Sequence, residues 1–116
     1  MEHTPNQIDF LEFSAASKDE LVASRKFYEG VFGWSYQEWG DAYVDTQSSG
    51  LSSGIAASPK KSPPLPVIYS NDLEASLDKV TSSGGEIVQD IFAFPGGRRF
   101  HFKDPAGNQL AVWSDK

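Results

Sequence analysis

The sequence predicts an α+β fold in which two βαβββ modules form a curled eight-stranded sheet around a cup, with the helices outside. Three observations predict it. Strand-like and helix-like patterns follow the order strand, helix, three strands, and then the same order returns. Shifting the chain by 52 positions lays Leu21 on Leu73, Ser24 on Ser76 and Gly33 on Gly85, self-similarity that marks a duplicated unit. A single polar, proline-rich segment, Ser58 to Pro64, lies between the two copies. One helix covers only one face of a four-stranded sheet, so each module keeps an uncovered face.

Composition narrows the function classes. A chain of 116 residues is read as one domain, with module one at about 8–57, a linker at 58–64 and module two at about 65–114. The net charge of -6 lacks the cationic field that nucleic acid or an anionic membrane would require, so neither is expected as a partner. With no cysteine, disulfides, thiolate catalysis and cysteine-bound metals are excluded. Only His3 and His101 supply imidazoles, and His3 is expected in a flexible tail. The polar start of the chain and the lack of a long apolar run lead to the expectation of a cytoplasmic protein.

Taken in order, Ile8 to Ser14 alternates as a first strand. Ser17 with Glu20 three positions on is a capping box, and Leu21, Ser24, Phe27, Tyr28 and Val31 recur at helical spacing until Gly30 and Gly33 weaken and end the helix. Trp34 to Trp39 and Ala42 to Thr46 are strand candidates joined at Gly40-Asp41. Gln47 to Ser53 reads as a mobile loop or weak edge, and Gly54 to Ala57 as a fourth strand.

After the linker, Leu65 to Ser70 is strand-like, and Asn71-Asp72 caps a helix carrying Leu73, Leu77 and Val80 that ends at Ser82-Ser83-Gly84-Gly85. Glu86 to Phe92 is a strand, followed by a turn at Phe94-Pro95-Gly96-Gly97. The chain closes with a hairpin from Arg98 to Trp113, turned by Asp104-Pro105-Ala106-Gly107-Asn108.

By alternation, Phe10, Glu12, Leu65, Val67, Tyr69, Arg99, His101, Gln109, Ala111 and Trp113 face the cup. Leu11, Phe13, Ile68, Phe100, Phe102, Leu110 and Val112 face the helices. Aromatic walls with a few convergent polar groups are the usual form of a small-molecule site, and Phe10, Tyr69 and Trp113 are placed to stack on a planar ligand. Plainer uses stand beside each: Phe10, Leu65 and Val67 as core filling, Glu12 and Arg99 as a structural ion pair, His101 as a hydrogen-bonded sheet residue, Trp113 as a cover for an edge or a dimer contact. Lys60 and Lys61 are expected to be solvated.

Four segments in sequence carry a family resemblance: Phe27-Tyr28-Glu29-Gly30-Val31-Phe32-Gly33-Trp34, Asn71-Asp72-Leu73-Glu74-Ala75, Ser83-Gly84-Gly85 and Phe102-Lys103-Asp104-Pro105-Ala106-Gly107-Asn108. In this order the chain resembles the glyoxalase, bleomycin-resistance and extradiol dioxygenase superfamily, the vicinal oxygen chelate proteins, from Ile8 to Trp113. The resemblance implies a metal site at equivalent positions of the first and last strands of each module, which here are similar to Phe10, a residue near Ile55 or Ala56, Leu65 and Ala111. None carries a donor atom for a metal ion. Glu12, His101 and Gln109 are the polar groups left near a relocated site.

The expected function is therefore a metal-free, glyoxalase-like small-molecule binder, similar to drug-sequestering relatives, with no cofactor and most simply a homodimer. Two other readings stay open. One is a metal-independent lyase or isomerase using Glu12 or His101 as acid or base, and the other is a non-catalytic interaction module. Metal-dependent lactoylglutathione lyase activity is not expected.

Overall fold

The computed structural model describes residues 2–116, with eight strands and two helices in the order expected of a repeated βαβββ pattern. The chain divides into two compact units, Phe10–Leu65 and a second one made of the residues through Asp9 together with Pro66–Lys116. None of the helices is long and apolar enough to cross a membrane.

The first unit holds most of β1 (Ile8–Ala15), then α1 (Lys18–Phe32), β2 (Gln37–Glu38), β3 (Tyr43–Thr46) and β4 (Ser52–Ala57). β4 runs parallel to β1, with Phe13 opposite Ile55, and antiparallel to β3, with Val44 opposite Ile55; β2 pairs outside β3. That register puts Ala15, Val44 and Ile55 under Leu21 of α1, all four at most 2% exposed, with Phe13, Tyr28 and Tyr36 packed around them. Burial of such a cluster is what holds a short helix to a sheet, because isolated helices of this length are marginal in water.

Local chemistry sets the helix ends. Ser17 Oγ accepts from the Glu20 N–H at 3.1 Å, while Glu20 Oε1 accepts from the Ala16 N–H at 2.8 Å, a capping box whose return bond reaches one residue further back than usual. At the other end Gly33 takes φ 74° and its N–H donates to the Glu29 carbonyl, the left-handed cap that glycine adopts without a Cβ clash. Two expectations change. The Trp34–Trp39 strand shrinks to Gln37–Glu38, and the Gln47–Ser53 loop loses Ser52 and Ser53 to β4. Parallel pairing to β1 and antiparallel pairing to β3 make β4 a strand bonded on both sides, so ladder bonds outweigh the low strand preference of Ser and Gly.

The second unit repeats the plan with β5 (Leu65–Tyr69) from Pro66 on, α2 (Leu73–Ser82), β6 (Glu86–Phe94), β7 (Gly97–Lys103) and β8 (Gln109–Ser114). β8 runs parallel to β5 and antiparallel to β7, and β6 closes the far side of β7. Leu73, Phe100 and Val112, at 1%, 0% and 4% exposure, form the core beneath α2, joined by Ile68, Leu77, Val80, Ile87 and Phe102. The equivalence of Leu21 and Leu73 holds at the level of packing, since each is the buried residue of its helix. The glycine equivalence does not. In the second copy Ser83 is the cap and Gly84 takes the positive φ of 95°, while Gly85 lies against Val80.

Asp104 organises the β7–β8 turn. Its carboxylate accepts from the Ala106 and Asn108 N–H groups, both at 2.9 Å, and from the Asn108 side-chain amide at 3.0 Å. The Asn108 bonds, followed by the turn's backbone N–H groups, hold its carboxyl below the usual carboxylate range.

Candidate functional site

Helix α2 claims one face of its sheet, and strand alternation sends the remaining side chains to the other. Two cross-strand rows result there: Tyr69, Trp113, Arg99 and Phe92, and next to it Val67, Ala111, His101 and Gln89. The second row is filled, because Val67 is 3% exposed and Ala111 is 0%. In the first row, Tyr69 and Trp113 meet edge to face with centroids 5.2 Å apart, and Phe94 approaches Trp113 at 6.4 Å. The Arg99 guanidinium lies 5.4 Å from the Phe92 ring and 5.7 Å from that of Phe94. Two aromatic faces so placed attract the cation through their quadrupoles. His101 sits edge-on to Phe92 at 5.7 Å, a packed ring.

At the Tyr69 end of this row lies a histidine whose place near the start of the chain suggests a flexible tail. The structure corrects that expectation. Asn6 donates its N–H to the Tyr69 carbonyl, and Tyr69 donates its own to Gln7, so the residues before β1 follow β5. His3 is thereby brought onto the first row, where it covers Tyr69, which is 4% exposed. Its ring stacks on Tyr69 at 4.9 Å and meets Trp113 edge-on at 4.7 Å. His3 Nδ1 lies 2.8 Å from Asp9 Oδ2, and the Trp113 indole N–H donates to Asp9 Oδ1 at 3.0 Å. The Tyr69 hydroxyl donates to Asp115 Oδ1 at 2.7 Å, a bond that pulls the Asp115 carboxyl below, and pushes the Tyr69 hydroxyl above, its ordinary range.

The structure thus brings together Val67, Tyr69, Arg99, His101 and Trp113 of the expected site, while Gln109 is exposed at the start of β8. Phe10, Glu12 and Leu65 belong to the first unit. There Phe10 and Glu12 stand opposite Ser52 and Gly54, and the Phe10 ring and the Tyr43 hydroxyl close over Gly54 so tightly that a Cβ there would lie 2.9 Å and 2.6 Å from them. His3, Asp9, Phe92, Phe94 and Asp115 were missed. Two register shifts interrupt β6, between Ile87 and Gln89 and between Gln89 and Phe92, so that only Gln89 falls out of step while Phe92 keeps the facing that alternation from Glu86 gives it. Each adds a residue on one strand and reverses the facing of the side chains beyond it.

The donor set does not fit the metal site of metal-dependent relatives. Phe10, Leu65 and Ala111 are hydrocarbon, and Ile55 is turned into the α1 core at 1% exposure. Among the described residues no three His, Asp or Glu side chains gather within reach of one ion.

The first unit also contains a cavity of about 540 Å³ on the α1 side, walled by Phe13, Tyr28, Ile55, Pro63 and Pro64. Linker residues form its rim. Ser62 donates its N–H to Ser14 Oγ at 3.1 Å, and Lys61 lies 3.8 Å from Glu20, so this part of the linker is tied down although Lys61 stays exposed.

The chain matches, over residues 13–112, the family model described as the Glyoxalase/Bleomycin resistance protein/Dioxygenase superfamily. It is 28% identical over 123 residues to the candidate glyoxylase CFP32 of Mycobacterium bovis, covering 95% of this chain and 45% of that protein. With the anthracycline biosynthesis protein DnrV of Streptomyces peucetius it shares 29% identity over 124 residues, covering 87% of this chain and 45% of that protein. The chain therefore spans about half the length of the curated relatives it matches. Among solved structures, the Mn(II)-bound glyoxalase of Novosphingobium aromaticivorans superposes with a TM-score of 0.70 at 17% identity, covering 96% of this chain and 39% of that one, a likeness of fold.

Proposed function

Because this chain belongs to the glyoxalase, bleomycin resistance protein and dioxygenase superfamily, we propose that it binds a small planar molecule on the face of the second unit's strands turned away from α2, without a metal ion. The row Tyr69, Trp113, Arg99 and Phe92 carries this reading. A flat ligand gains stacking area from Trp113, and from Tyr69 where it takes the place of His3, and the guanidinium beside Phe92 and Phe94 meets an acceptor at its edge. The hydrocarbon side chains at Phe10, Leu65 and Ala111 support binding by shape and stacking in place of ion coordination. The names of the relatives support a small-molecule role of this kind without naming the ligand.

Thermal shift and calorimetric titration against a panel of planar natural products test the reading. Binders are expected to lose about tenfold or more in affinity with Trp113→Leu, while Arg99→Met selectively weakens those with an acceptor or anionic edge. A panel without a single binder, or binders indifferent to both substitutions, would overturn it.

A further inference from the structure

The His3 imidazole stands where a ligand of definite chemistry would stand. It is flat, stacked on one ring and flanked edge-on by another, and its Nδ1 lies 2.8 Å from a carboxylate oxygen of Asp9. The receiving surface is prepared for it. Asp9 is steadied by the Trp113 indole, and Asp115 by the Tyr69 hydroxyl, so two carboxylates are fixed by the same two aromatic residues that supply the stacking surfaces. A neutral planar ligand would use only the rings. One carrying an N–H and positive charge would use rings and carboxylates together, and attraction of a cation to ring faces adds to the charge-assisted hydrogen bond.

We propose that Tyr69, Trp113, Asp9 and Asp115 form a subsite for a planar nitrogenous cation, and that His3 is its built-in occupant, displaced when such a ligand binds. The proposal rests on the small-molecule reading above and adds the ligand's chemical class. It also gives the segment before β1 a role. An internal group that must leave before a ligand enters lowers apparent affinity by the fraction of time it stays in place. Removing it raises affinity without adding a contact.

Calorimetry on the full chain at neutral pH tests this with 4-aminoquinoline, which is protonated there, and with quinoline, its neutral counterpart. His3→Ala is expected to bind 4-aminoquinoline about tenfold more tightly than the unaltered protein does, and to prefer it over quinoline. Asp9→Asn placed on His3→Ala keeps an oxygen to accept the Trp113 indole proton but removes the charge, and should abolish that preference. In the unaltered protein, the His3 ring signals in an NMR titration should move toward those of a solvated histidine as 4-aminoquinoline is added. Equal affinity of the two proteins for 4-aminoquinoline, equal binding of both quinolines to His3→Ala, failure of either to bind it, or unmoved His3 signals would each overturn the subsite. Those outcomes leave the wider binding reading standing as long as other planar molecules bind in a Trp113-dependent way. Loss of that dependence is the separate failure.

Discussion

Tyr36 shows how much one side chain's surroundings matter. It follows Ser35 in a stretch whose aromatic pattern reads as strand, yet it lies before β2 and packs against the α1 core. Burial above all, then Tyr28 and Glu29, opposed by Arg25, pushes its hydroxyl from 10.0 up to about 12. The folded chain keeps Tyr36 neutral where the unfolded chain ionises it. Its contribution to stability is therefore complete below pH 10 and declines as pH rises from 10 to about 12. Thermal unfolding followed across that range should show the unaltered protein losing stability faster than Tyr36→Phe. Tyr69, raised in the same direction by its bond to Asp115, leaves a smaller alkaline loss in the variant. Parallel curves for the two proteins would refute the assignment. At this scale the sequence revealed identities, such as the aromatic and cationic character of Tyr69, Arg99 and Trp113, but not the contacts that tune them.

Among the elements, two glycines make opposite predictions. Gly97 opens β7 at φ 152°, and a Cβ there would collide with the Ser114 carbonyl oxygen, so Gly97→Ala must part β7 from β8. A loss of about 3 kcal/mol is expected in urea unfolding. Gly30 lies inside α1 with nothing within 4 Å of an added Cβ, and Gly30→Ala should raise stability by about 1 kcal/mol. A neutral Gly97→Ala or a destabilising Gly30→Ala would contradict this backbone geometry. The helices and the closing hairpin were legible because capping residues, 3.6-residue spacing and the Asp104 turn are local signals. β2 and β4 were not. Their pairing depends on partners distant in sequence, and the bulges of β6 break the period from which facing is read.

For the molecule as a whole, the relatives suggest an assembly prediction. The chain covers 45% of the length of CFP32 and DnrV, so a second copy would supply an equivalent mass of fold. α1 presents Phe27, Val31 and Phe32 at 58%, 55% and 60% exposure, more apolar surface than a helix in water usually shows. Light scattering on the purified chain should give twice its 12.7 kDa at micromolar concentration. A mass of 12.7 kDa throughout would overturn the expectation of a homodimer.

By itself the sequence determined the repeated strand-helix-strand plan, the family, and the absence of donor side chains at Phe10, Leu65 and Ala111, since each follows from residue type and local order. Only the tertiary structure decided that His3 lies on Tyr69 and Trp113, that Asp9 joins them, and that Phe92 and Phe94 hold Arg99. His3 and Asp9 are about a hundred residues from Trp113 along the chain, a separation over which no short-range pattern carries information. Strand pairing alone closes that distance.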